Sequence, residues 1–294
     1  MRRNLSLIMG RKKEQGLKMR APIVSGIYYP DSPSNLTGRL ASWGLKQNLP
    51  ASGGQAILAP HGAWDLTGNI AASAFASVQK RTGGWSISKV ILLGTHHQSG
   101  EEGIYLSEST FFETPLGNLR VDQRLNRILA SCSTSIRVND IPHLSEHSLE
   151  VLLPLVKYCF PNAMIVPILM DGRRPALISA LARALRIAME SCMGESLIVI
   201  SSTVSRSFDP AIAISMADEF RSRLEAMDSR AFLARLKNGR ISACGGAILG
   251  ATLESGLLDG RHFSALGPLE QRRADTGETV YYGAFSDSSN SVIM

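Results

Sequence analysis

The sequence contains no CxxC pair, and its four cysteines, Cys132, Cys159, Cys192 and Cys244, lie far apart, which speaks against a disulfide framework or a zinc knuckle. A reducing cytoplasm is therefore the expected compartment. No apolar run approaches the roughly 18 residues of a transmembrane helix, so no membrane partner is expected. The apolar stretch from Leu5 to Met9 is too short for a secretory leader, and charge follows it at once. There is no Pro/Ser/Gly-rich linker and no repeat at solenoid spacing, so nothing divides the chain into two domains. Charge of one sign is also scarce outside the start. Residues 1–20 hold seven basic side chains against Glu14, while the other 274 residues carry 24 basic and 24 acidic groups. The net charge of +6 thus belongs to an arm, and no nucleic-acid partner is expected for the neutral body. Residues 1–19 are read as an extension preceding the domain, with Met19 as an alternative start.

What remains is a chain of 294 residues, 44% hydrophobic, long enough to close a large core. Aliphatic runs at 56–59, 89–93, 164–169, 197–200 and 280–285 read as buried strands. Segments near 66–80, 121–131, 148–159, 174–191, 210–225 and 243–257 carry helical periodicity. In 174–191, Leu177, Leu181, Ala184, Leu185 and Ala188 form one apolar stripe. Strands alternating with helices predict a three-layer α/β/α domain over 20–294 with a central, mostly parallel or mixed sheet.

Such sheets bind ligands beyond the carboxyl ends of their strands. Two strand ends deliver a histidine there: Pro60-His61-Gly62-Ala63-Trp64 and Gly94-Thr95-His96-His97. Imidazoles held this way suit metal ligation or proton transfer, although a separation of 36 residues has no chelating signature of its own. Cys244 opens a small-residue helix start, where the local dipole favours a thiolate. Ser201-Ser202-Thr203 lacks the glycines of a nucleophile elbow and reads as a polar loop at a pocket rim. His143-Leu144-Ser145-Glu146-His147 is a literal H-x-x-E-H, the pattern of an inverted zinc hydrolase. That chemistry needs both histidines on one continuous helix, whereas Ser145 reads as an N-cap that leaves His143 outside.

Taken in order, several strings resemble the Memo-like family, whose prokaryotic members are called AmmeMemoRadiSam system protein B. They are Arg20-Ala21-Pro22 with Gly26-Ile27-Tyr28-Tyr29-Pro30, then Pro60-His61, Gly94-Thr95-His96-His97 and Glu113-Thr114-Pro115-Leu116-Gly117. Glu146-His147-Ser148-Leu149-Glu150 with Leu153-Pro154, Cys244-Gly245 and Val280-Tyr281-Tyr282-Gly283 complete the series. The resemblance implies the fold of class III extradiol (LigB-like) dioxygenases. It also implies a metal held by His61, His97 and Cys244, iron or copper by preference and zinc as a suitable third. By the same resemblance His147 is the candidate catalytic base, and Thr203, Arg206 and Trp64 are candidate substrate contacts. The implied activity is that of a redox-metal oxidoreductase or dioxygenase acting on a small molecule. One departure bears on it: the family's S-S-D-x-x-H becomes Ser201-Ser202-Thr203-Val204-Ser205-Arg206, and arginine cannot replace histidine as a base. The alternatives are a metal- or peptide-binding scaffold without turnover, and the zinc hydrolase built on His143, Glu146 and His147.

Overall fold

Side chains alternate along each central strand, and the two sets enter different cores. Ala56 and Leu58, Ile91 and Leu93, Val166 and Ile168, and Ile198 and Ile200 enter one core. Ile57 and Ala59, Val90 and Leu92, Ile165, Leu197 and Val199 enter the other. A sheet buried on both faces needs a helical layer on each, which explains the unbroken aliphatic runs. In the computed structural model, which describes residues 18–45, 56–79, 87–98, 101–191 and 196–289, both layers are present. Helices Pro33–Ser42, Trp64–Gln79 and Leu153–Cys159 cover one face. Helices Gln123–Ser131, Pro175–Glu190, Pro210–Glu225, Ser229–Lys237 and Gly246–Glu254 cover the other. The arm before residue 18 and Cys192 lie outside the described residues. None of the described helices is long and apolar enough to cross a membrane.

The main sheet has eight strands in the order Arg261–Ala265, Phe285–Ser289, Ala56–Ala59, Ser196–Ser201, Lys89–Thr95, Met164–Asp171, Gly103–Leu106 and Ile136–Val138. The four in the middle are mutually parallel. Antiparallel pairings flank them on both sides, so the sheet is mixed. The run expected as one strand over 280–285 is two. Thr279–Tyr282 joins a small sheet with Ser205–Ser207 and Glu270–Arg273, and Phe285–Ser289 enters the main one. The break falls at Gly283, where a Cβ would meet Leu269 Cδ2 at 2.6 Å and the Phe285 ring at 3.0 Å. The helix expected over 148–159 is also shorter, a 3₁₀ turn at Glu150–Leu152 followed by Leu153–Cys159. Helix Ser229–Lys237, which the periodicity does not reveal, begins at Asp228, whose carboxylate accepts from Ala231 N at 2.9 Å.

A buried ion pair closes the first layer. Arg20 Nη1 donates to Glu150 Oε2 at 2.5 Å, with both side chains almost wholly buried. Glu150 also accepts from the backbone N–H groups of Ile23 and Val24 and from the Tyr29 hydroxyl. Arg20 donates to the carbonyls of His143 and Glu146. Removing one member of such a pair leaves an uncompensated buried charge, so Arg20→Ala is expected to cost about 3–5 kcal/mol of unfolding free energy. Urea denaturation followed by circular dichroism measures this, and a loss under about 1 kcal/mol, the scale of an exposed pair, would refute it.

Candidate metal centre

The parallel strands end side by side, so the residues that follow them converge. Ala59 pairs with Ser201, and Ser202 N donates to Ala59 O at 3.1 Å, which sets His61 beside the end of the Ser196–Ser201 strand. His61 Nδ1 lies 2.7 Å from Ser201 Oγ, whose hydroxyl donates to Ser148 O at 2.6 Å. With that proton committed, Ser201 accepts from Nδ1–H, and Nε2 is the His61 nitrogen turned to Cys244. Ser201 and Ser202 are fully buried, so they hold the site from behind and do not form the expected pocket rim.

Cys244 arrives from the turn before helix Gly246–Glu254, with Sγ 3.6 Å from His61 Nε2. Thr203 N and Thr203 Oγ1 both donate to Sγ, at 3.2 and 3.3 Å. Burial pushes the thiol up, but the charge and hydrogen bond of His61 and the hydrogen bond from His97 outweigh it and hold Cys244 well below its ordinary value. Gly245 permits the approach: a Cβ there would lie 2.7 Å from both Ser201 O and Ser202 Cβ.

His97 ends the loop after Lys89–Thr95. Its backbone N–H donates to Glu146 Oε2 at 2.6 Å and its Nδ1 lies 2.9 Å from Glu146 Oε1. Burial disfavours a charged His97, yet hydrogen bonds to Cys244 and Glu146 prevail and raise it to about 10. Burial also opposes the Glu146 carboxylate, but His97 holds it at about 2. His147 Nδ1 lies 3.3 Å from the same Glu146 oxygen. Burial, then the neighbouring His61, push His147 down to about 4. The ligating atoms of His61, His97 and His147 all lie within 4.8 Å of one another. His61 forms the floor of the site, and the His97 and His147 side chains, 29% and 27% exposed, form its mouth.

A cavity of about 330 Å³ opens beside this cluster, with His97, Cys244, His96, Arg173 and Arg206 in its wall. Arg206 reaches the cavity already engaged, with Nε 3.1 Å from Glu278 Oε1 and Nη2 on Glu278 Oε2. Thr203 faces the thiol. Trp64, expected as a substrate contact, belongs to the core: it opens helix Trp64–Gln79, is 2% exposed, packs on Tyr29 and Trp43, and donates Nε1–H to Val151 O at 3.0 Å.

The H-x-x-E-H string does not form a zinc-binding helix. Helix Ile141–Ser145 contains His143 and ends before Glu146, the reverse of the boundary expected at Ser145. His143 is buried, with Nε2–H donating to Tyr105 O at 3.1 Å, while His147 stands with the other cluster. Glu146, which the sequence presents as part of the H-x-x-E-H pattern, instead stands behind His97, a placement that pattern does not suggest. No spacing rule could have found that contact, because His97 lies 49 residues earlier.

These features define a class: an α/β sandwich with a histidine–cysteine cluster at the ends of its parallel strands. The sequence profile of the family described as Memo-like protein matches residues 20–267, and the chain belongs to that family. It is 28% identical over 244 residues to a MEMO1 family protein of Desulfurococcus amylolyticus, covering 78% of this chain and 84% of the relative. It is 25% identical over 275 residues to one of Caldivirga maquilingensis, covering 90% and 94%. The crystal structure of uncharacterized protein JW3007 from Escherichia coli K12 aligns with a TM-score of 0.47 at 13% identity, over 79% of this chain and 98% of that one.

Two measurements check this site. Gly245→Ala sets a methyl group against the Ser201 carbonyl and the Ser202 side chain, an overpacking expected to cost about 1–3 kcal/mol, seen as a lowered melting temperature; an unchanged melting temperature would contradict the close approach. His143 is held neutral, pushed down by burial to about 4 against 6.5 in the unfolded chain. The unfolded state therefore binds the extra proton, so stability is full above about pH 6.5 and falls as pH drops toward 4. His143→Gln keeps a donor for Tyr105 O and should make the urea-midpoint profile shallower across that window, leaving the share of His147, which burial also holds at about 4; a profile as steep as wild type would assign the dependence elsewhere.

Proposed function

We propose that this protein binds a redox-active transition metal, iron or copper by preference and zinc as a chemically suitable third, through His61, His97 and Cys244. The observation that carries the reading is Cys244 Sγ at 3.6 Å from His61 Nε2, a contact made across 183 residues of sequence. The donor set fits the group: a thiolate and two imidazoles, each imidazole bonded through Nδ1 to a fixed partner, as ligating histidines are. A bound iron or copper supplies one-electron chemistry and Lewis acidity toward a small molecule. The chain supplies the rest. Ser201 fixes the tautomer of His61, Thr203 stabilises the thiolate with two donors, and the adjoining cavity admits a ligand of a few carbons to the His97 and Cys244 side. In this reading the protein is an oxidoreductase, dioxygenase-like in the placement of its metal.

One observation favours a second reading, a metal- or peptide-binding module without turnover. Arg206 stands where the family pattern carries a histidine, and its guanidinium is locked on Glu278, so no base enters from that strand. Anaerobic loading with iron or copper tests the first reading, followed by metal analysis of wild type and Cys244→Ser. Near-stoichiometric metal in wild type and a loss of tenfold or more in affinity for the variant are expected. Equal binding by both would refute the three-ligand site. Oxygen uptake by the loaded protein with reductant or catechols separates turnover from simple binding.

A further inference from the structure

His147 does not lie as a free base would. Its ring stacks on His97 with centroids 5.2 Å apart and planes 22° apart, and meets Tyr28 edge-on at 5.1 Å. Its Nδ1 faces the Glu146 carboxylate, which also faces His97 Nδ1 and is itself pinned by the backbone N–H groups of His97 and Ser148. A carboxylate fixed by two backbone donors cannot turn away, so one Glu146 oxygen holds the His97 ring by a hydrogen bond and faces the His147 ring at ion-pair distance. His97 Nδ1 is hydrogen-bonded to it and His147 Nδ1 lies 3.3 Å from it, so Nε2 is the His147 nitrogen turned away from the carboxylate. Its ligating atom lies within 4.8 Å of those of His61 and His97.

Resting on the metal reading above, we propose that His147 is a fourth metal ligand and that Glu146 is a positioning residue that aims His97 and His147 at the same ion. The site then offers three imidazoles and a thiolate. Four such donors are the complement that zinc or cobalt(II) takes in closed sites, whereas two imidazoles and a thiolate leave positions for water. The position of His147 follows from packing. Gly94 lets the His147-Ser148-Leu149 segment press on the end of the Lys89–Thr95 strand, where a Cβ would lie 2.5 Å from Leu149 Cδ2 and 2.7 Å from Ser148 Oγ. Ser148 Oγ, which donates to Thr95 O at 2.9 Å, fastens the segment there. The imidazole is thereby delivered to the cluster by packing and a hydrogen bond of its neighbours that do not involve the metal.

Cobalt(II) titration of the purified full chain, read by absorption, tests this. Wild type should show a thiolate-to-cobalt band in the near ultraviolet and intense visible bands of four-coordinate cobalt. His147→Ala and His147→Gln should keep the near-ultraviolet band, lose most of the visible intensity and bind at least tenfold more weakly. Glu146→Gln should weaken binding by roughly 10–100-fold, as loss of a carboxylate behind a ligating histidine does. Combined with His147→Ala it should cost less than the product of the two effects, because part of its action passes through His147. Far-ultraviolet circular dichroism and melting temperature of each variant separate a lost ligand from a lost fold. Unchanged affinity and visible bands in both His147 variants would overturn the proposal while leaving the three-ligand reading intact. No cobalt uptake by wild type would overturn both.

Discussion

The geometry of the cluster depends on a charge pair that touches none of its ligands. Arg20 and Glu150 are buried together, and a buried pair is tolerable only when every remaining donor and acceptor is met. Glu150 meets this through Ile23 N, Val24 N and Tyr29 OH, and Arg20 through the carbonyls of His143 and Glu146. The network therefore ties the opening segment of the domain to the loop that carries Glu146 and His147. That loop has little regular structure, since the helix before it ends at Ser145 and the 3₁₀ turn begins only at Glu150. The pair thus anchors this segment from one side, while Ser148 Oγ on Thr95 O and Ser201 Oγ on Ser148 O anchor it from the other.

The second constraint is the parallel arrangement of the middle strands. Because Ala56–Ala59, Ser196–Ser201 and Lys89–Thr95 run the same way, their ends lie along one edge, and His61, Ser201 and His97 meet there although the sequence separates them widely. Two glycines bring in the remaining groups. Gly94 admits the His147 segment and Gly245 lets the Cys244 turn lie on the Ser201 carbonyl. A methyl group at either position would stand within 2.7 Å of those neighbours, so these glycines act on the cluster through steric room.

The sheet was legible because strands buried on both faces must be aliphatic throughout, and Ala56–Ala59 appears with the boundaries its composition suggests. Val280–Phe285 was not, because an apolar run does not reveal which sheet each half joins, and the answer turns on contacts of Gly283 with Leu269 and Phe285. The two strand-end histidines could be found from strand positions alone. Cys244 entered through helix-start chemistry and family resemblance, since no spacing rule links it to His61. Trp64 is a substrate contact only by the resemblance of its string; in the structure the indole lies in the core, where the first turn of its helix places it. The end of helix Ile141–Ser145 was misread because Ser145 has the chemistry of an N-cap, while the closing boundary is set by the Arg20 contacts on the carbonyls of His143 and Glu146.

The two departures from the family pattern prove chemically compatible. Thr203 stands where an aspartate is usual, and its hydroxyl accepts from Cys244 N while donating to Cys244 Sγ. An ionised aspartate there has no proton to donate and would repel the thiolate, so threonine favours the charged sulfur. Arg206 stands where a histidine is usual and brings a permanent positive charge toward the same sulfur. Glu278 neutralises that charge at the cavity wall through two contacts. The exchange replaces an acid and a titratable base by a neutral donor and a fixed, internally balanced cation. Through Thr203 and Arg206 the wall therefore offers no titratable base, and the titratable groups beside it include those of the histidine–cysteine cluster.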